Sequence, residues 1–216
     1  MKYLTIVSTC LAALVAAAPT VEKRLITAND LIDGPCKDVT LIYARASTEP
    51  GNMGISMGPQ LCWGLKKAFP DNVACQGVGG AYDAGLLANL LPAGTTKAAI
   101  AEGKKMFELA IQKCPNTKIV AGGYSQGATL LNEAIKDFDD ATKDEILGVV
   151  LYGYNRNKQH DGKIENFPRE KVRVFCEKDD PVCWGTLITA AGHFAYVFNG
   201  SGGEGAQFLA DKVNAA

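Results

Sequence analysis

The sequence has only two histidines, His160 and His193, and no CxxC pair. Those absences argue against a zinc centre, which draws its ligands from clustered cysteines and histidines. No run of lysines and arginines builds a basic face, and the formal charge is −1. Nothing therefore points to a nucleic-acid surface. The chain shows no internal repeat, no linker and no low-complexity tract. The apolar stretch Leu4 to Ala18 is too short for a comfortable membrane span, and Ser8, Thr9 and Cys10 dilute it. Lys2 before it and Ala16-Ala17-Ala18 at its end give the pattern of a secretory signal peptide over residues 1–18. The dibasic pair Lys23-Arg24 then marks a pro-peptide over 19–24, which leaves 25–216 as the mature chain. A secreted, extracellular protein without integral membrane association is expected.

What is present fits one folded domain. The chain has 216 residues, of which 47% are hydrophobic and 21% charged. That balance allows a sizeable core and argues against disorder. With Cys10 in the signal, six cysteines remain: Cys36, Cys62, Cys75, Cys114, Cys176 and Cys183. An even number in a secreted chain implies disulfides, and six cysteines allow 15 pairings in principle. Cys176 and Cys183 are the nearest pair and Cys62 and Cys75 the next, which leaves Cys36 with Cys114. A bridge closing that last, long loop would contribute about 4.5 kcal/mol in the chain-entropy model.

Strands and helices alternate along the chain. Asp38 to Ala44, Cys75 to Gly80, Ile146 to Tyr152 and Lys171 to Cys176 read as strands. Gly58 to Phe69, a segment capped by Thr95 or Thr96 and ending at Pro115, and Glu204 to Val213 read as helices. Asp137 to Glu145 is charged and expected to be exposed, and Asn155 to Pro168 is a polar loop. The order implies an α/β sandwich with a mostly parallel sheet.

The informative stretch is Lys118 to Thr129, K-I-V-A-G-G-Y-S-Q-G-A-T. A short apolar run gives way to glycines, and a helical rhythm begins at Ala128. Between them, Gly123-Tyr124-Ser125-Gln126-Gly127 has the pattern of a nucleophile elbow, a tight turn that holds a serine in a strained backbone. A serine nucleophile needs a base. His193 lies late in the chain, after the last acids, as the Ser, acid, His order of α/β-hydrolases requires. His160 sits in a solvated loop. The acid should follow the strand 171–176, and Asp179 and Asp180 do so inside the short loop between Cys176 and Cys183. Asp180 is preferred because Pro181 restricts its backbone. The oxyanion hole would use the Gln126 N–H, directly after the nucleophile, and Ser47 in the polar loop after the first strand.

Together, G-Y-S-Q-G, the R-A-S-T-E segment at 45–49, Q-G-V-G-G-A-Y at 76–82, and C-x-x-x-D-x-x-C at 176–183 before a late histidine resemble the fungal cutinase family. The resemblance covers roughly Asp33 to Val213. It implies a small α/β-hydrolase with a central five-stranded parallel sheet. The chain has little spare sequence for a large lid, so an open site is expected. The resemblance implies a Ser125, Asp180, His193 triad with Ser47 and Gln126 as oxyanion donors. It also implies the bridges Cys36–Cys114, Cys62–Cys75 and Cys176–Cys183. Ala46 and Gly192 depart from the family, which often has Gly and Pro there, and Gly192 is expected to loosen the His193 loop.

The resulting expectation is a monomeric serine esterase acting on an ester and water, with no metal and no cofactor. Leu86 and Leu87 follow a glycine-rich break, and Leu187, Ile188 and Phe194 flank the histidine loop. Any single one is an ordinary candidate for the core. Exposed together, they would form an apolar rim suited to aliphatic chains. The resemblance implies cutin and short- to medium-chain esters as substrates. The alternatives are an acetylxylan esterase-like activity or a non-catalytic secreted effector. Asn199-Gly200-Ser201 is a glycosylation sequon.

Overall fold

The computed structural model describes residues 26–216. The expected signal peptide and pro-peptide lie outside the described residues. Five parallel strands form one sheet in the order β2-β1-β3-β4-β5. They are β1 (Val39–Ala44), β2 (Val73–Gly77), β3 (Lys118–Tyr124), β4 (Ile146–Tyr152) and β5 (Val172–Phe175). Every pairing is parallel, so the expected mostly parallel sheet is wholly so.

The central strands are apolar along their length because both faces of the sheet are covered. Alternate residues of β1 supply the two cores. Ile42 and Ala44 join one layer with Phe107, Ala110, Leu130 and Leu131. Leu41 and Tyr43 join the other with Met57, Leu61, Leu65, Leu209 and Val213. The first layer is built by α3 (Lys97–Lys113) and α4 (Gln126–Ile135). The second is built by α2 (Met57–Ala68) and the C-terminal helix α8 (Ser201–Ala215). A short helix, α1 (Asp30–Asp33), lies ahead of β1. Of the two threonines expected to cap α3, Thr96 does so, accepting from the Ala99 N–H at 3.0 Å.

Some boundaries differ from those read in the sequence. The second strand starts and ends earlier, because Val73 pairs with Val39 while the glycines after Gly77 leave the sheet. The charged stretch 137–145 contains a short helix, α5 (Asp140–Asp144), whose Lys143 is buried rather than exposed. The polar loop 155–168 contains one helical turn, α6 (Asn157–His160). α8 begins at Ser201 because Asn199 Oδ1 accepts from the Ser201 N–H and hydroxyl and organises its first turn.

The three disulfides are Cys36–Cys114, Cys62–Cys75 and Cys176–Cys183. Each pairing agrees with the one inferred from spacing and from the family resemblance. No helix among the described residues is long and apolar enough to cross a membrane.

Candidate active site

Ser125 stands between β3 and α4 with φ 54° and ψ −116°, a backbone region that residues with a Cβ rarely occupy. Such strain persists only when the surroundings fix it. Here the Ser125 N–H donates to Tyr152 O at 2.9 Å, tying the turn to β4. The glycines on either side allow the close crossing. A Cβ on Gly127 would lie 2.0 Å from Ala44 O in β1. The elbow therefore forms because only this glycine pattern lets the helix start directly against the sheet.

His193 lies in α7 (Ala191–Phe194) and Asp180 opens a 3₁₀ turn at Pro181–Trp184, inside the Cys176–Cys183 loop. Both are almost wholly buried, at 3% and 0% exposure. His193 Nδ1 is 2.9 Å from Asp180 Oδ2 and 3.0 Å from Oδ1. A carboxylate can only accept, so Nδ1 carries the proton and Nε2 presents its lone pair. Nε2 is 3.0 Å from Ser125 Oγ. The three residues expected to act together are thus hydrogen-bonded in one chain.

Burial alone would push the Asp180 carboxyl up. The hydrogen bond and charge of His193, the Tyr196 hydroxyl and the Val182 N–H outweigh burial and hold it below the usual value of 3.8. Tyr196 donates to Asp180 Oδ2 at 2.8 Å and accepts from the Glu177 N–H at 2.8 Å. Burial raises the Tyr196 hydroxyl well above its ordinary value, so it remains a donor. Tyr124 donates to the His193 carbonyl, and its ring lies 5.2 Å from the imidazole.

At Gly192 the histidine segment comes close to the acid-bearing loop. A Cβ there would fall 2.3 Å from Asp179 O. The glycine lets the histidine segment pack directly on the acid-bearing loop. His160, the other histidine, hydrogen-bonds Tyr154 and Asn132, and burial lowers its pKa.

Ser47 Oγ accepts from Asn89 Nδ2 at 2.9 Å and from Gln126 Nε2 at 3.2 Å. With both incoming bonds supplied, the Ser47 proton is left to donate toward the cavity. Gln126 is the first residue of α4, so its N–H belongs to the helix end that lacks an intrahelical acceptor. The loop bearing Ser47 is clamped by Glu49, whose carboxylate accepts from the N–H groups of Ala46, Ile55 and Ser56 and from the Ser56 hydroxyl.

Ser47, Asn89, Ser125 and His193 line a cavity of about 760 Å³. Leu86, Leu87, Leu187 and Phe194 all line it and are exposed, Leu87 at 77%. Ile188, also expected in the rim, is exposed as well. The rim is wider than the sequence suggested: Ile55, Leu90 and Phe198 line the same cavity, and Phe198 is 86% exposed. Phe198 lies four residues after Phe194 in a helical stretch, a spacing that could have found it. Asn89 is the one polar residue within Leu86 to Leu91, which was the available signal for its role. Tyr196 carried no such signal.

The fold and sequence have known counterparts. A family model described as Cutinase matches residues 35–213. Cutinase 3 of Emericella nidulans is 48% identical over 223 residues, covering 99% of this chain and 100% of that protein. Trichoderma reesei cutinase, solved with a C11Y4 phosphonate inhibitor, aligns with a TM-score of 0.77 at 31% identity, covering 92% of this chain and 84% of that one. An acetylxylan esterase solved at 0.90 Å resolution aligns with a TM-score of 0.65 at 18% identity, over 82% of this chain and 99% of that one, which shows a shared fold alone. On the family match across nearly all the described residues, joined to the sheet order and the elbow, this chain belongs to the cutinase family of carboxylic ester hydrolases.

Proposed function

We propose that the protein is a secreted serine esterase that hydrolyses cutin and other aliphatic esters through an acyl-enzyme. The observation that carries this reading is the hydrogen-bonded series Ser125, His193, Asp180 opening into an apolar-rimmed cavity. Ser125 Oγ attacks the ester carbonyl as His193 Nε2 takes its proton. Asp180 orients the imidazole and stabilises its cation. The Gln126 N–H and the Ser47 hydroxyl bind the developing oxyanion. Collapse of the tetrahedral adduct breaks the bond to the alcohol, which leaves with the proton from His193. Water then gives up a proton to His193 and attacks the acyl-enzyme, releasing the acid and restoring Ser125.

The exposed leucines and phenylalanines favour aliphatic acyl chains over an acetylated sugar, because burying them against a polyol gains little. Residues 1–18 act as the signal peptide and 19–24 as a pro-peptide. The remaining chain works as a monomeric single domain on an ester and water, and three disulfides suit an oxidising extracellular setting.

Ser125→Ala is expected to lower kcat by roughly 10⁴-fold or more while leaving the protein folded. Retained turnover on p-nitrophenyl butyrate would overturn the nucleophile. Parallel assays on cutin, p-nitrophenyl esters of graded length and acetylated xylan test the substrate, and a preference for acetylated xylan would sink the aliphatic reading.

A further inference from the structure

The 3₁₀ turn Leu86–Leu90 contributes Asn89 to the site, yet none of its residues is buried. Apolar packing cannot fix a segment of that kind. Polar contacts from two adjacent residues after β4 hold the turn and the residues that follow it. Arg156 donates to Leu91 O and Pro92 O at 3.2 and 2.9 Å. Asn155, which is buried, donates from Nδ2 to Asn89 Oδ1 at 3.2 Å.

That second contact acts together with the bond from Asn89 Nδ2 to Leu86 O to set which way the Asn89 amide faces. With Oδ1 turned to Asn155, Asn89 Nδ2 is directed at Leu86 O and at Ser47 Oγ, both 2.9 Å away. The Asn155 amide is oriented in turn, because its Oδ1 accepts from the Thr129 hydroxyl. Thr129 belongs to α4, and its N–H lies 3.3 Å from Ser125 O. A side-chain relay thus runs from the nucleophile helix through Thr129, Asn155 and Asn89 to Ser47. Gln126 Nε2 closes it from the same helix, with its amide fixed by Gly85 O at 2.8 Å.

We infer that Asn155 is a positioning residue for the oxyanion hole: through Asn89 it forces the Ser47 hydroxyl to accept from the protein and so to donate to the substrate oxyanion. If Asn89 were free to turn, its Oδ1 could face Ser47 and take the serine proton for itself. The hydroxyl would then present a lone pair to a developing negative charge. Asn155 touches no reacting atom in this role. It acts by selecting the one amide orientation that leaves the serine proton unused in the resting enzyme, a form of preorganisation. The inference rests on the reading of Ser47 as an oxyanion donor.

The test is a mutant cycle on p-nitrophenyl butyrate, with Tm recorded for each variant. Ser47→Ala alone should lower kcat on the order of 10²-fold. Asn155→Ala should lower kcat on the order of 10-fold with KM little changed, since it misdirects that donor without removing it. Asn155→Asp keeps the shape and the Thr129 contact but puts an acceptor against Asn89 Oδ1. It should lose at least as much kcat, which guards against a folding defect in the alanine variant. Adding Asn155→Ala to Ser47→Ala should cost nothing more, because the hydroxyl it aims is gone. Rates of inactivation by an alkyl phosphonate should fall in the same pattern. Undiminished kcat in both Asn155 variants, or an equal loss in the Ser47→Ala background, would overturn the role of Asn155 alone. Full activity of Ser47→Ala would overturn the oxyanion reading on which it depends.

Discussion

At the scale of single residues, the hydroxyl of Tyr196 is the contact beyond the proposed triad that bears most directly on its chemistry. It donates to Asp180 and accepts from the Glu177 N–H, so it joins the acid to the backbone of its own disulfide-closed loop. Tyr196→Phe takes the acceptor from a partly buried amide and removes one stabilising bond from a carboxylate. Stability should fall by about 1–3 kcal/mol. The pH dependence has a defined sign. Asp180 is held below 3.8 in the fold. Its ionisation therefore stabilises the protein fully above the ordinary carboxylate value, and that contribution is lost as pH falls from there through the lower folded value. Without Tyr196 the folded value rises, so the acid unfolding midpoint should move to higher pH, as read by circular dichroism across an acid titration. An unmoved midpoint would contradict the assigned contact. The residues proposed for the chemistry itself were legible in the sequence because a nucleophile, an acid and a base follow chain order and sit at marked turns. Tyr196 and Asn155 were not, since their partners are distant in sequence and only the fold brings them together.

At the scale of elements, the strands and long helices could be read because each has one periodicity and a clear stop. Pro115 follows the end of α3, and β3 runs through Gly122 and Gly123 to stop at Tyr124, directly before the elbow serine. The 3₁₀ turn Leu86–Leu90 could not. Its sequence is as apolar as a core strand, yet it lies exposed beside the cavity. Apolar composition reports an affinity for nonpolar surroundings, and a substrate can supply them as well as a core can. Leu87 shows the distinction. Because its side chain is largely exposed, Leu87→Ser should leave Tm within about 1 °C, as surface changes away from special features do. It should raise KM for long-chain p-nitrophenyl esters by a few fold while leaving the butyrate ester nearly unaffected, given roughly 0.8 kcal/mol for each methylene no longer covered. Equal losses on short and long chains would show that Leu87 supports the site rather than the acyl chain.

At the scale of the whole molecule, the parallel sheet brings the C-terminal ends of β1, β3, β4 and β5 to one side, and the proposed catalytic and oxyanion groups follow from those ends or from the loops beyond them. Leu87, Leu187 and Phe198 remain exposed around the mouth. An open mouth needs no interface to uncover it. Rate against concentration for a sparingly soluble ester should therefore rise smoothly through the solubility limit, whereas a jump at that limit would reveal a closed resting form. The course of α8 has a practical corollary. Ser201 O accepts from the hydroxyl of Tyr152 at the C-terminal end of β4, while Val213 O accepts from Lys118 Nζ at the start of β3. The helix thus runs from the catalytic side to the opposite pole. A bead, a carrier protein or a cell-wall anchor fused after residue 216 would leave the mouth facing outward, toward a solid polyester film.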